Sequence, residues 1–261
     1  MKKALLFALI PAFLFLLSGC LYPQEKRIEN QMPVPERVKW VQEAVDAYRK
    51  QTGVLPIQTR EANTPIYEKY PIDFGKLVPK YLPYIPGDAF EQGGTHLYVL
   101  VDPENHPKVR LLDVQTAQIV ADVQKATDLY WIKNHRLPAT EVRYFPQFFN
   151  VEFEKLGMQD ILIQSPFTGH YLPLIMDQVG HIGVDYAQDI AMFLEKTDPE
   201  KWQDRDLREL LVEQSLFVPV KSFPYRLVDG KPTPQLLSSQ QSSPEKSSPE
   251  KSKDGKQGDK Q

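Results

Sequence analysis

The chain has 261 residues, a formal net charge of −3 and charged side chains at 25% of positions. That balance argues against a nucleic-acid partner, which wants a strongly basic domain. Cys20 is the only cysteine, which excludes an internal disulfide and cysteine-based metal sites, and 23 prolines against 13 glycines predict stiff, irregular connections.

The chain opens with Lys2 and Lys3, continues with an apolar stretch from Ala4 to Leu17, and reaches the small residues Ser18-Gly19 just before Cys20. A basic start, a short apolar stretch and small residues at the cut fit an export signal; a spanning helix needs roughly 20 apolar residues. Leu17-Ser18-Gly19-Cys20 resembles the lipobox of bacterial lipoproteins. The resemblance implies cleavage before Cys20, a diacylglyceryl group on its sulfur and a mature chain held at the extracytoplasmic face of the cell membrane. Residues 1–19 are then a signal peptide, and losing Lys2 and Lys3 takes the net charge from −3 to −5. Residues 20–35, polar and ending in prolines, are a lipidated tether.

A first α+β unit is expected over 36–114. Val38, Val41, Val45 and Tyr48 recur at helical spacing, and Gly53 followed by Leu55-Pro56 marks the helix exit. A long connection rich in proline and tyrosine leads to a hairpin whose strands are His96–Asp102 and Val109–Asp113, with its turn at 103–107.

The same pattern returns 82 residues later as a second unit over 115–186. Val38, Val41, Gln42, Ala44, Asp46, Tyr48, Leu55 and Pro56 recur as Val120, Val123, Gln124, Ala126, Asp128, Tyr130, Leu137 and Pro138. Phe74, Lys76 and Leu77 match Phe153, Lys155 and Leu156, and Asp88-Ala89-Phe90 matches Ser165-Pro166-Phe167. The hairpin strands reappear as 170–177 and 181–185, with a turn at 178–180. The fold class is therefore α+β: two tandem units of helix, long loop and antiparallel hairpin or small sheet. Asp46 and Asp128 read as duplicated structural positions.

The order Tyr48, Gly53-Val54-Leu55-Pro56, Leu77, Pro86-Gly87-Asp88-Ala89-Phe90 with Gly93, and Tyr98 resembles the globular part of type II secretion pseudopilins. The resemblance implies a shared shape only, since those proteins begin with a polymerising apolar helix and this chain has a lipobox and a tether. The lipobox followed by Leu21-Tyr22-Pro23, together with the Val41-Gln42-x-Ala44-Val45-Asp46 helix, is similar to the YphF-type lipoproteins of Gram-positive bacteria. That similarity brings no activity with it.

Residues 187–237 read as a helical segment capping or bridging the two units. Helices are expected near Tyr186–Lys196 and up to Gln214, and an edge strand at Leu216–Val220 with Pro219 within it. Residues 238–261 repeat Ser-Ser-Pro-Glu-Lys, carry five lysines against four carboxylates, and have no apolar residue to bury, so a disordered tail is expected.

The five histidines form no helix-spaced metal pair. Asp177, His181 and Asp185 stand at spacing four, but the turn at Gly180 intervenes, and a solvated surface turn is the expectation. There is no Gly-x-Ser-x-Gly elbow and no phosphate loop, so the chain is expected to be no enzyme and to need no metal or cofactor. Binding residues are sought among the aromatic connections: Tyr67, Tyr70, Tyr81 and Tyr84 in the first unit, Tyr144, Phe145, Phe148 and Phe149 in the second. Such loops either line a groove for an envelope protein or polymer partner or supply core that one helix and a small sheet lack. The function expected is a membrane-anchored, non-catalytic binding or assembly module, with a solute receptor for a transporter as the alternative.

Overall fold

The computed structural model describes residues 32–144 and 146–237; the expected signal peptide, Cys20, most of the expected tether, Phe145 and the expected disordered tail lie outside the described residues. Each half opens with a long helix, α1 (Val34–Thr52) in the first and α3 (Val114–Asn134) in the second. Pro35 at the first turn suits α1, since its missing N–H would be unpaired there anyway. Asp113 caps α3 by accepting from the backbone N–H groups of Gln115 and Thr116. Both helices end on a left-handed residue, Gly53 (φ 77°) and His135 (φ 52°), whose N–H closes on the carbonyl four residues back.

In the first unit a short helix α2 (Phe74–Leu77) precedes the hairpin of β1 (His96–Val101) and β2 (Lys108–Asp113). The connection is extended but not regular. Ile72 donates to the Tyr98 carbonyl and Leu100 to that of Tyr70, so this strip lies along the free edge of β1. Both faces of the hairpin are buried, which explains its unbroken apolar run. Tyr98 and Leu100 face α1 with Val38, Val41 and Val45, while Val99 and Val101 pack on Tyr67, Val212, Val218 and Val220.

The second unit repeats the plan with more strand. β3 (Ala139–Tyr144), β4 (Phe148–Val151), β5 (Leu162–Gln164), β6 (Tyr171–Asp177) and β7 (Ile182–Val184) form one antiparallel sheet. β6 pairs with β4 through 175–177, with β5 through 171–173, and with β7 in the hairpin. The connection expected as a loop is here largely strand. Pro146 and Gln147 make the turn, and the register of β3 on β4 slips twice.

Hydrogen bonds identify the repeat more sharply than sequence identities. Gln42 donates to Asp46 (3.0 Å) and to the Pro107 carbonyl (3.0 Å), and accepts from Val109 N–H (2.7 Å). Gln124 donates to Asp128 (2.8 Å) and to the Gly180 carbonyl (2.9 Å), and accepts from Ile182 N–H (2.8 Å). The Pro56 carbonyl accepts from Asp73 N–H and the Pro138 carbonyl from Glu152 N–H, both at 2.8 Å. Val109 therefore corresponds to Ile182, one position on from the sequence alignment, because the second unit's strand is one residue shorter before Asp185.

The C-terminal segment contributes α4 (Ala187–Leu194), a 3₁₀ turn at Pro199–Trp202, α5 (Arg208–Gln214), and a hairpin of β8 (Tyr225–Val228) and β9 (Lys231–Pro234). The expected helices are present, and the β8–β9 hairpin adds strand that the sequence reading does not anticipate. Its Asp229-Gly230 turn has positive φ at both residues, the geometry of a tight hairpin. The expected edge strand reduces to a single parallel bridge: Leu111 donates to the Leu216 carbonyl and accepts from Val218 N–H. A few residues later Val184 donates to the Lys221 carbonyl. Residues 216–223 are thus a strap bonded to β2 of one unit and β7 of the other. Gly183 is needed beneath it, since a Cβ there would stand 2.6 Å from the Phe223 ring.

Candidate functional site

A cavity of about 590 Å³ opens where the first unit meets α5. One wall is the 64–70 connection with the β1–β2 turn, the other Arg205 and Asp206 with the face of α5 as far as Glu213. Its apolar lining includes Ile66, Tyr67, Tyr70, Leu100, Val101 and Val212, and Ile66 stands 60% exposed at the mouth. Burial pushes the Tyr67 phenol well above its ordinary range, with the Arg208 charge opposing, so the ring lines the groove as a neutral group.

The rim carries both signs of charge, largely paired. Arg205 binds Glu209 and Glu213 at 2.6 Å each, and its guanidinium lies 4.1 Å from the Trp202 ring centroid. Arg208 binds Asp206 (2.6 Å), donates to the Ser222 carbonyl (3.0 Å) and lies over Tyr67. Arg110 of β2 donates to the Val212 carbonyl (2.9 Å), placing a cation at the carboxyl end of α5, and Lys221 of the strap binds Glu68 (2.9 Å). These bonds fix two sequence-distant walls against each other. Lys69 and Lys108 also line the groove, with Asp102 and Glu104 opposite in sign.

The structure distributes the eight aromatic candidates unevenly. Tyr67 and Tyr70 line the groove. Tyr81 packs on Tyr48 edge to face and donates to Gln51, and Tyr84 packs on Trp40 at 5.0 Å. Phe148, 1% exposed, lies in a small core with Ile175, Phe223 and Leu236; Phe149 is half-buried in β4. Tyr144 donates to Asp185, and Phe145 and Cys20 lie outside the described residues. Most of these rings fill core that the short elements cannot supply.

The trio Asp177, His181 and Asp185 is not brought together, and its carboxylates are not solvated. Asp177 is fully buried and accepts from the backbone N–H groups of Val179 and His181, with the His181 ring 2.9 Å away. Asp185, 2% exposed, instead accepts from Arg143 (2.6 Å), Tyr144 (2.9 Å), Tyr225 (2.9 Å) and Ala187 N–H (3.1 Å). β7 lies between them in the chain, and the two carboxylates bind different partners. Among the described residues no group of three or more His, Cys, Asp or Glu is placed to hold a metal ion.

Two further buried polar clusters escaped the sequence reading. Asp88 accepts from Tyr98 (2.9 Å), contacts the His96 ring (3.1 Å) and pairs with Arg37 (3.0 Å). Burial alone would raise its carboxyl, but those hydrogen bonds and the Arg37 charge hold it below the usual range. At the corresponding place in the second unit, Ser165 donates to Asp189 (2.6 Å) and accepts from the N–H groups of Phe167 and Thr168. Thr168 donates to the same carboxylate, and burial raises the Asp189 carboxyl despite these bonds. The His170 ring sits on Thr168, one hydroxyl removed from Ser165, and Ser165 is 3% exposed. The arrangement closes a turn onto α4 and presents no exposed nucleophile.

Residues 34–113 match the model of the YphF family N-terminal domain, a span that begins with α1 and ends with β2. No curated protein and no solved structure matches the chain. Among the described residues no helix is long and apolar enough to cross a membrane.

Proposed function

We propose that the chain is an envelope lipoprotein of the YphF type, anchored through Cys20, whose groove binds an extended segment of a protein or polymer partner. The lipobox-like Leu17-Ser18-Gly19-Cys20 supports the anchor. Two acyl chains hold stably where one gives marginal binding, so a diacylglyceryl group suffices. The pseudopilin-like order of parts adds a shape and no filament role.

The observation that carries the binding role is the groove itself. An apolar floor of Tyr67, Leu100, Val101 and Val212 under a rim of both charges fits a partner segment with an apolar side chain flanked by polar groups. A second reading, a receptor for a small solute, is favoured by the volume alone, since about 590 Å³ falls within the range of small-molecule sites.

Photo-cross-linking from position 66 in intact membranes separates the two when paired with a thermal-shift screen of small solutes. The module predicts a discrete adduct, abolished by Tyr70→Ala, and a flat screen; a solute that raises the melting temperature without an adduct defeats it. Cys20→Ser is expected to release a folded protein from membranes, and a variant that stays bound would refute the anchor.

A further inference from the structure

Helix α3 ends in an apolar surface that its counterpart lacks. Leu129, Trp131 and Ile132 are 59%, 51% and 62% exposed, whereas the residues 82 positions earlier on α1 are Ala47, Arg49 and Lys50. The packing of the repeated unit therefore does not require apolar groups there. Val179 of the β6–β7 turn, also more than half exposed, lies across a second cavity of about 290 Å³ that Trp131 and Ile132 help to line. Thr127 lines the same cavity, and its hydroxyl is buried with no hydrogen-bond partner in the protein.

The charges that follow along the chain from this surface are cationic, and Asp128 stands at the cavity's other side. From Leu129 to Arg136 the charged side chains are Lys133 and Arg136, with His135 between them, and all three are exposed. The preceding carboxylate, Asp128, is engaged by the Gln124 amide at 2.8 Å. An indole and two branched aliphatic chains beside lysine and arginine have the composition of a surface seated at a bilayer interface. The indole suits the headgroup level, the aliphatic chains the region below it, and the cations the lipid phosphates.

We propose that the end of α3 and the β6–β7 turn form a second, non-covalent membrane contact, which rests on an anionic lipid surface. The inference rests on the anchored reading above. The stretch from Cys20 to Val34 reaches at most about 50 Å when extended, more than the breadth of a domain of about 200 residues with a radius of gyration near 17 Å. A lipid at Cys20 therefore confines the protein to the bilayer and leaves its orientation open; the α3 surface selects one.

The test uses the mature chain, residues 21–261, with an N-terminal hexahistidine in place of Cys20, tethered to vesicles through a nickel-chelating lipid. Its outcome is thus independent of acylation, which Cys20→Ser reads separately. In vesicles of phosphatidylglycerol and brominated phosphatidylcholine, the Trp131 emission is expected to be lost. The loss should be absent in Trp131→Phe, weaker without phosphatidylglycerol, and abolished by Leu129→Asp with Ile132→Asp, exposed positions whose replacement leaves the core intact. Tethered protein with equal emission in brominated and ordinary vesicles would overturn the proposal. So would a dimer in sedimentation that the same double substitution dissolves, which would assign the surface to a second copy.

Discussion

Gln42 and Gln124 each hold a hairpin to its helix through the same two bonds, and Asp113 and Asp185 leave those hairpins at the same point. Each Asp accepts from the N–H two residues on, at Gln115 and Ala187. There the likeness ends. Asp113 is a half-buried helix cap that also binds the Thr116 hydroxyl, whereas Asp185 gathers Arg143 and Tyr144 from β3 and Tyr225 from β8. Duplication preserved the backbone role of the position, and the second copy became the point where added strands are tied in. Burial of the same side chain changes what the position is worth.

Substitution at the two carboxylates tests that difference most strongly. Asp185→Ala leaves the buried Tyr225 phenol, the half-buried Tyr144 phenol and the Arg143 guanidinium without their acceptor and is expected to cost about 3 kcal/mol in denaturant unfolding. Asp113→Ala removes a cap and should cost about 1 kcal/mol. Equal losses would show that the two positions have not diverged. The glutamines give the converse test: Gln42→Ala and Gln124→Ala each leave a hairpin N–H and carbonyl without their side-chain partner and should each cost about 2 kcal/mol. As they share no partner, their double variant should be additive within about 0.5 kcal/mol.

A smaller effect of opposite sign is expected at Thr127, whose counterpart in the first unit is the buried Val45. Thr127→Val removes a buried unpaired hydroxyl and should stabilise by about 1 kcal/mol, while Val45→Thr should destabilise by a similar amount.

Acid moves the two buried-cluster carboxylates in opposite directions. The Asp88 carboxyl is held low in the folded state, so its contribution is present above the unfolded value and is lost as pH falls through the folded one. The Asp189 carboxyl is raised, so folding favours its protonated form and falling pH relieves a cost. Hydrogen exchange below about pH 4 should therefore release Tyr98 and Leu100 amides before those of Leu172 and Leu174. Asp88→Asn should narrow the gap.

Much of this architecture is legible in the residues, for reasons that are local. The α1 and α3 faces, the hairpin turns and the duplication follow from apolar spacing and from Gln, Asp and Tyr at fixed intervals. The β3–β4 pair is hidden because Pro146 interrupts it and its first-unit counterpart is only the bridge between Ile57 and Ile72. The β8–β9 hairpin announces itself in Asp229-Gly230, but Pro232 and Pro234 mask the second strand. The groove has no sequence signature: Tyr67 and Tyr70 stand out as aromatics, while Arg205 and Arg208 acquire their meaning only when the chain folds back.

The strap at 216–223 also sets an order of events. Arg110 meets its α5 partner 102 positions later, and Glu68 waits 153 positions for Lys221. Closing such long loops is slow compared with forming either helix or hairpin. A ribosome releases those anchors last. Until then the outer face of β1 and β2 lacks Val212, Val218 and Val220, so neither unit reaches its final form ahead of the other. The first unit's outer face is thus completed only by residues made at least 102 positions after Arg110 of its own hairpin.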